Sequence, residues 1–326
     1  MAPTTVCVTY DFDAVAAWLA ADMPAYHSWG AFGAETAAPR LLELHDRLDV
    51  PATWFVPGHT IDSFPKICGE VNDRGYEIAH HGYSHEPPAS MLSREEERHD
   101  FERGIDAVYD LTGKKPEGYR APDGGFSEET VELLEELGFT WDSSQGIHDC
   151  RPYYLRANPT VDHDEPYDPG CVTDIVEIPV LWHRDDWLQL FPVVTGPEWV
   201  AYAHEPAVFD RWRRELEWIR ANVDGGVFTL LLHPQCAGRI PFVDAFEAFL
   251  AEFQGMDDVR FAEAGTVAAE FRAADPPSSL DDESSIGNES STGDGSTNDH
   301  ASSTDDGSTS DHESFTDDGS STDTND

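Results

Sequence analysis

Short apolar runs alternate with amphipathic stretches through much of this chain, and that alternation limits the folds it can adopt. The apolar runs predict strands at 6–13, 50–56, 75–80, 118–120, 139–144, 175–180, 226–233 and 259–261. The amphipathic stretches predict helices at 39–48, 65–74, 92–111, 127–137, 209–222, 242–253 and 266–272. Residues 19–35 look irregular, and 150–169 look like an inserted loop. Strands that alternate with helices are parallel and joined by right-handed crossovers, so we expect an α/β fold.

The first predicted strand carries two aspartates on one face. Side chains alternate along a strand, so residues 7, 9, 11 and 13 point one way and residues 6, 8, 10 and 12 the other. Asp11 and Asp13 would then stand about 6.6 Å apart along the backbone. Carboxylates that close favour a positive group beside them. An alternative stays open, in which Asp13 caps a helix that begins near Ala14.

The third predicted strand ends in the sequence HHGYSH at 80–85. His81 and His85 can bind one metal ion from a single turn of backbone, and Gly82 lets that turn fold tightly. His80 is the nearest rival ligand. A pair of histidines four residues apart is a weak signal alone, because surface and core histidines produce it too. It gains weight here because the first strand supplies a carboxylate ligand and a base.

Three more polar residues stand where predicted strands end: Arg120, Asp142 and His233. Each has a structural alternative, as an ion pair, a turn aspartate or a core histidine. The carboxyl ends of parallel strands lie at one edge of a sheet or one face of a barrel. We therefore expect these side chains to meet the aspartates and histidines there.

The chain is strongly acidic, with 20 Lys and Arg against 64 Asp and Glu and a formal net charge of −44. We interpret this charge as a solvated surface suited to a salt-rich cytoplasm, since salt screens repulsion between like charges. No basic stripe is present to displace counterions from a nucleic acid, so nucleic-acid binding is disfavoured.

The cysteines and the apolar runs point to a reduced, cytoplasmic protein. The five cysteines are scattered and form no C-x-x-C pair, which argues against a disulfide framework and a thiolate zinc site. The first residues lack the basic region and apolar run of a signal peptide. No stretch approaches the roughly 18 apolar residues of a membrane span, so no membrane partner is expected.

The composition divides the chain into residues 1–274, predicted to form one catalytic domain, and a tail at 275–326. The tail contains 15 acidic residues, no Lys or Arg, and a Gly-Ser repeat with a period of twelve. It cannot bury enough apolar surface to offset its ordering entropy, so we predict disorder. Calcium-binding loops are the alternative, but the glutamate such loops need at their twelfth position is missing.

Five segments together resemble the motifs of the polysaccharide deacetylase superfamily, the NodB-homology domain, over roughly residues 4–270. They are TYDFD at 9–13, HGYSH at 81–85, RAPDG at 120–124, WDS at 141–143 and LLLHP at 230–234. Phe12 separates two aspartates that are usually adjacent in the family, and Asp123 stands where polymer-active members often carry an aromatic residue. A second set of segments is together more similar to a subgroup related to cofactor-independent allantoinases and cyclic imidases, the "peptidoglycan deacetylase-like" proteins. They are DFD at 11–13, FG at 32–33, PGHT at 57–60, HGYSHE at 81–86 and EIPV at 177–180.

The resemblance implies a distorted (β/α)7 barrel, similar to a TIM barrel, that hydrolyses non-peptide amide bonds with a divalent metal. Asp13, His81 and His85 would hold the ion, expected to be zinc, with manganese, cobalt or nickel also compatible. Asp11 would be the catalytic base. Arg120 would orient it and favour its charged form.

The remaining roles implied by the resemblance concern the leaving group and the substrate. The amide N–H of Asp123 is a predicted oxyanion donor. His233 would protonate the leaving nitrogen, oriented by Asp142, and Asp186 would contact the substrate. That substrate would be an acetylated amino sugar, as a small molecule or an oligosaccharide, or a related small amide or imide.

Two other functional classes stay open at this point. The first is a non-catalytic barrel that binds a carbohydrate or a ureide, which the intact set of base and ligands disfavours. The second is a structural protein that works mainly through its acidic tail. Members of the resembling subgroup tend to assemble, so a homo-oligomer is also an expectation.

Overall fold

The computed structural model describes residues 2–190, 194–195, 198–199, 205–240 and 242–277. Its strands are β1 (Thr4–Asp11), β2 (Thr53–Val56), β3 (Glu77–His80), β4 (Gly118–Tyr119), β5 (Trp141–Asp142), β6 (Tyr153–Ala157), β7 (Cys171–Glu177), β8 (Val194–Thr195), β9 (Glu198–Trp199), β10 (Val227–Leu232) and β11 (Val259–Phe261). The predicted tail lies outside the described residues from position 278 onward.

The helices fall largely where the amphipathic stretches predict them. They are α1 (Ala16–Ala20), α2 (His27–Phe32), α3 (Ala38–Leu48), α4 (Gly58–Ser63), α5 (Pro65–Asp73), α6 (Arg94–Thr112), α7 (Thr130–Leu137), α8 (Asp186–Leu190), α9 (Glu205–Asn222), α10 (Pro234–Ala237), α11 (Phe242–Gln254) and α12 (Ala264–Ala274). Short 3₁₀ turns occur in several loops, and a π-helical turn joins α2 to α3. No helix within the described ranges has the length and apolar character needed to cross a bilayer.

The main sheet runs in the order β10-β1-β2-β3-β4-β5-β7-β6, with β11 also paired to β1. Every pair in it is parallel except the edge pair β6–β7. After β7 the chain returns to the other edge of the sheet, where Asp185 forms a parallel bridge with Leu231 of β10. The α/β class and the barrel-like fold are thereby confirmed, with seven parallel strands from β10 to β7 and β11 as an eighth parallel strand beside β1.

Two stretches differ from the sequence-based expectation. The predicted inserted loop at 150–169 contains β6, which lengthens the sheet by pairing antiparallel to β7. The stretch at 19–35, expected to be irregular, contains α2 and the start of the π-helical turn. A Cβ atom on Gly30 of α2 would lie 2.3 Å from the carbonyl oxygen of Ala14, so only glycine permits this packing.

The two faces of β1 have different surroundings, as the period-two pattern predicts. Val6, Val8, Tyr10 and Phe12 are all buried in the largest apolar cluster, where Tyr10 stacks on Trp54 with ring centroids 4.5 Å apart. The opposite face carries the polar side chains towards the functional site. Sheet packing on one face of β1 therefore fixes the position of the carboxylates on the other.

Candidate active site

The carboxyl ends of four parallel strands bring the predicted site residues together. Asp11 is the last residue of β1, while His81, Arg120 and His233 directly follow β3, β4 and β10. All four side chains are buried. The arrangement agrees with the rule that functional groups of parallel α/β folds stand at these strand ends.

Asp13 faces two imidazole nitrogens. Its Oδ1 atom lies 3.5 Å from Nε2 of His81 and 3.4 Å from Nε2 of His85. That oxygen is buried and has no hydrogen-bond donor within the described structure. A buried carboxylate oxygen without a donor is costly, and a cation among these three groups would remove the cost. The side chain does not cap α1, whose N-cap residue is Val15.

Backbone contacts prepare the two histidines to bind a metal. Nδ1 of His81 donates to the carbonyl oxygen of Arg120 at 2.7 Å, which leaves the lone pair on Nε2. His85 reaches the site from a left-handed backbone conformation with a φ of 63°. The loop between them is held by Asp100, which accepts hydrogen bonds from the N–H groups of Tyr83 and Ser84.

His80, the rival ligand, is a core residue. Its Nδ1 accepts a hydrogen bond from the N–H of Gly82, and its Nε2 donates to the carbonyl oxygen of Phe101. Burial lowers the pKa of His80 to about 4, which outweighs the hydrogen bond to Phe101. Both ring nitrogens are engaged with the backbone, so His80 has no nitrogen free for a metal.

Arg120 anchors the side chain of Asp11 through a salt bridge. Nη1 of Arg120 lies 2.7 Å from Oδ1 of Asp11, and the guanidinium stacks 3.9 Å from the ring centroid of Phe55. Other bonds fix the arginine to Thr9 and to the hydroxyl and carbonyl oxygens of Ser143. The second oxygen of Asp11, Oδ2, remains towards His81 at 3.7 Å from its Nε2. One oxygen is thus anchored while the other points into the site.

His233 completes the opposite side of the site. Its Nδ1 lies 2.8 Å from Oδ1 of Asp186, which also accepts the backbone N–H of His233. Its Nε2 faces Oδ2 of Asp13 at 3.7 Å. Burial alone would lower the pKa of His233, but the bond to Asp186 and the charges of Asp185 and Asp13 raise it to about 10. These contacts favour the cationic form of the ring.

One prediction about this side of the site is wrong. Asp142 does not orient His233, because the ring is held by Asp186 on the segment that follows β7. The side chain of Asp186 is buried and its Oδ1 is bonded to His233, so its substrate contact stays a prediction. The carboxylate of Asp142 instead accepts hydrogen bonds from the N–H and hydroxyl of Ser144.

Asp123 lies at the rim of the site in the turn after β4. Its side chain is exposed, and its φ is 55°. Burial would lower the pKa of His85, but the charge of Asp13, and less strongly that of Asp123, raises it. The position close to His85 is compatible with the predicted oxyanion role of the Asp123 N–H, which stays a prediction.

Asp13, His81 and His85 are one of three described groups whose ligand atoms lie within 4.8 Å of one another. The others are Asp185, Asp186 and His233, and the consecutive residues 148–150. In the second group the short bond between Asp186 and His233 already engages two of the ligand atoms. Only the first combines two free imidazole nitrogens with an orphaned carboxylate oxygen, a set that suits zinc and related ions.

Known proteins similar to this chain form one family. The profile described as "Polysaccharide deacetylase" matches residues 21–141. A peptidoglycan deacetylase of Helicobacter pylori is 33% identical over 280 residues, which cover 82% of this chain and 95% of that protein. A peptidoglycan deacetylase-like protein of Gibberella zeae is 31% identical over 270 residues, covering 75% and 79% of the two chains.

Solved structures show the same relationship. A crystal structure of a candidate polysaccharide deacetylase from Mycobacterium smegmatis matches with a TM-score of 0.73 and 33% identity, covering 84% of this chain and 94% of that one. An allantoinase shares the fold, with a TM-score of 0.68 at 20% identity and coverage of 84% and 92%. The chain belongs to the polysaccharide deacetylase family of hydrolases.

Proposed function

We propose that this protein is a metal-dependent amide hydrolase that removes the acetyl group from an N-acetylated amino sugar, releasing acetate and a free amine. The observation that carries the proposal is the buried, donor-free Oδ1 of Asp13 between the Nε2 atoms of His81 and His85. Relatives named as peptidoglycan deacetylases direct the proposal to amino sugars.

A divalent ion held by Asp13, His81 and His85 would polarise the amide carbonyl and lower the pKa of a water molecule. We assign zinc first, since one carboxylate and two imidazoles with open positions are typical of hydrolytic zinc sites. Manganese, cobalt and nickel accept the same donors.

Asp11 is the proposed base. Its Oδ1 is anchored by Arg120, so Oδ2 is the atom that accepts the proton of the attacking water. The guanidinium of Arg120 keeps the carboxylate oriented before that transfer. The new C–O bond then forms at the amide carbon.

His233 is the proposed acid. Asp186 fixes the ring through Nδ1, so the proton on Nε2 is directed into the site. When the C–N bond breaks, that proton passes to the leaving nitrogen, which departs as an amine. Base and acid thus approach the amide from two sides, each oriented by an oppositely charged partner.

The test is an assay of acetate release with purified protein in molar salt. Acetate is measured with N-acetylglucosamine oligomers and muropeptide-derived sugars, and parallel arms follow ring opening of a cyclic imide and of allantoin. We expect acetate release that chelation abolishes and added zinc restores. An apoprotein that is equally active, or a metal-loaded protein that hydrolyses none of the amides, would contradict the proposal. The second outcome would favour the non-catalytic carbohydrate- or ureide-binding alternative.

The same proposal includes the compartment, the salt requirement, the substrate size and the oligomeric state of the protein. We propose a cytoplasmic enzyme with an acid-rich surface adapted to high salt, acting on a small-molecule or oligosaccharide substrate. The net charge of −44 supports the salt requirement, because repulsion between carboxylates weakens as salt is added. A homo-oligomer is part of this proposal, and sedimentation in molar salt tests it.

A further inference from the structure

Two buried carboxyl groups lie beneath the active site without a cation in contact. Asp142 ends β5 and Glu177 ends β7, and the two residues are register partners of these paired parallel strands. Neither has measurable exposure. Arg120 is the nearest described cation, and its donors are directed to Thr9, Asp11 and Ser143 rather than to this pair.

The hydrogen bonds locate a proton within the pair. Asp142 accepts from Ser144 with both of its oxygens, and Oε1 of Glu177 accepts from the N–H groups of Ser144 and Gln145. Oε2 of Glu177 is the remaining oxygen, buried and without a donor. The N–H of Ser144 donates to both carboxyl groups, which brings two side chains close together that would repel if both were ionised. We therefore infer a proton on Oε2 of Glu177 that is directed to Asp142.

The surroundings favour the same protonation state. Burial, and then the charge of Asp142, raises the pKa of Glu177 well above its ordinary value. Arg120 opposes this rise, while the phenol of Tyr153 on β6 stays neutral at neutral pH because burial raises its pKa. The phenol of Tyr119 on β4 also faces Asp142 and stays neutral, because burial raises its pKa.

The pair is connected to the catalytic groups through one turn. Oγ of Ser144 accepts the N–H of Ala121 at 2.8 Å, and Nε2 of Gln145 donates to the carbonyl oxygen of Gly124 at 2.9 Å. The preceding residue, Ser143, receives two bonds from Arg120. The turn at 143–145 therefore sets the position of the segment 120–124, which carries Arg120 and the N–H of Asp123.

We propose that Glu177 is a positioning residue which, in its protonated form, donates a hydrogen bond to Asp142 and so holds the 143–145 turn against the segment that carries Arg120. The inference rests on the proposed amide hydrolysis for its kinetic consequence only. When the pair loses its proton at alkaline pH, the two carboxylates repel, the turn shifts and Asp11 loses its orientation. Turnover then falls although the metal ligands are unaffected.

The test compares Glu177→Gln, Glu177→Ala and a control, Glu97→Ala, in the metal-loaded full chain. Glu97 is also buried and accepts hydroxyl bonds from Ser127 and Thr130, but it lies on α6 outside the site. Glutamine can donate to Asp142 and accept from the turn without titrating. Glu177→Gln should therefore keep most of the wild-type kcat and move its alkaline decline to higher pH.

Glu177→Ala should lose about tenfold to a hundredfold in kcat, with KM and metal content little changed, since a small misplacement of catalytic groups has effects of this size. Glu97→Ala should lower stability and leave the pH profile unchanged. Wild-type kcat and pH profile in Glu177→Ala, or an unshifted alkaline decline in Glu177→Gln, would overturn the inference.

An infrared measurement keeps this test separate from the proposed activity. The infrared difference spectrum of wild-type protein minus Glu177→Gln at neutral pH should contain the C=O stretching band of a protonated carboxyl, since other protonated carboxyls such as Glu77 are common to both proteins and cancel. A spectrum without that difference overturns the shared proton whether or not the protein is active. If the band is present but no amide is hydrolysed, the proposed function fails and the protonated pair stands.

Discussion

Buried carboxylates at the two ends of the parallel strands differ in the hydrogen bonds they accept. At the carboxyl ends, Oδ1 of Asp13 is buried with no donor and faces two histidines. At the amino ends, Oε2 of Glu77 on β3 accepts hydrogen bonds from the hydroxyl of Thr53 and the N–H of Gly265. The first carboxylate has an oxygen with no hydrogen-bond donor among the described residues, whereas the oxygen of the second has two donors within the fold.

The carboxyl end of β3 therefore serves the active site, and its amino end serves the stability of the fold. Gly265 lies in the first turn of α12, and the N–H of the preceding residue, Ala264, donates to the hydroxyl of Thr53. Side chains of β2 and β3 thus cap the helix that closes the described fold. We expect substitutions at the carboxyl ends to change chemistry and substitutions at the amino ends to change stability.

The largest expected effect is that of His81→Ala at the carboxyl end of β3. Removing one of two imidazoles should abolish stoichiometric metal binding and reduce amide hydrolysis to background. Metal content by mass spectrometry and acetate release are the measurements. Thr53→Val at the opposite end is the control, which should lose about 1 kcal/mol of stability and keep both metal and activity. Full metal content and activity in His81→Ala would refute the site.

The next effect separates the base from the ligands. Asp11→Asn keeps the shape of the side chain and an oxygen for Arg120 but removes the proton acceptor, so kcat should fall about 10²- to 10⁴-fold. The metal content should stay at the wild-type value, because Asp11 is not a proposed ligand. Loss of the metal in Asp11→Asn would move this aspartate into the ligand set.

A smaller effect is expected for Asp186→Asn on the acid side of the site. The amide cannot supply the charge that orients His233, so kcat should fall about tenfold to a hundredfold, part of what a general acid contributes. Metal content should not change. Imidazole ¹⁵N signals of His233 should shift in Asp186→Asn and stay in place in Glu177→Gln. The reverse pattern would restore Asp142 and its partner as the group that orients the ring.

The last expected effect concerns stability at the amino ends rather than activity. Burial raises the pKa of Glu77 from an ordinary 4.5 to about 7, despite the hydrogen bonds from Thr53 and Gly265. The folded state thus holds a proton that the unfolded chain releases earlier. The stabilisation is complete below pH 4.5 and is lost as the pH rises through about 7.

Glu77→Gln should remove this dependence. Relative to the variant, the wild-type free energy of unfolding should fall by about 3 kcal/mol between acid and neutral pH. Urea unfolding at constant high salt measures it, and activity at neutral pH should be unchanged. A constant difference between the two proteins across this range would show that Glu77 does not titrate as described.

Local patterns predicted the metal half of the site and much of the fold. The alternating residues of β1, the glycine after His81 and the strand endings are signals within a few residues of one another. The partner of His233 was missed because Asp186 lies 47 residues earlier, on a segment positioned by the bridge between Asp185 and Leu231. Only the return of the chain after β7 to the edge of β10 determines that contact.

The elements β6 and α2 were not predicted either, because contacts with distant residues determine them. β6 lies in a stretch rich in proline, aspartate and tyrosine, and its strand conformation comes from pairing with β7 rather than from its own pattern. The helix α2 is rich in small and aromatic residues, and its position depends on the contact of Gly30 with the backbone of Ala14. Tertiary packing decides both, and a single sequence carries little trace of it.

The most direct measurement of the central claim is anomalous diffraction at the zinc absorption edge from crystals of the metal-loaded protein. We expect one strong peak in contact with Asp13, His81 and His85. No peak at that position, or a peak on Asp185, Asp186 and His233 instead, would contradict it.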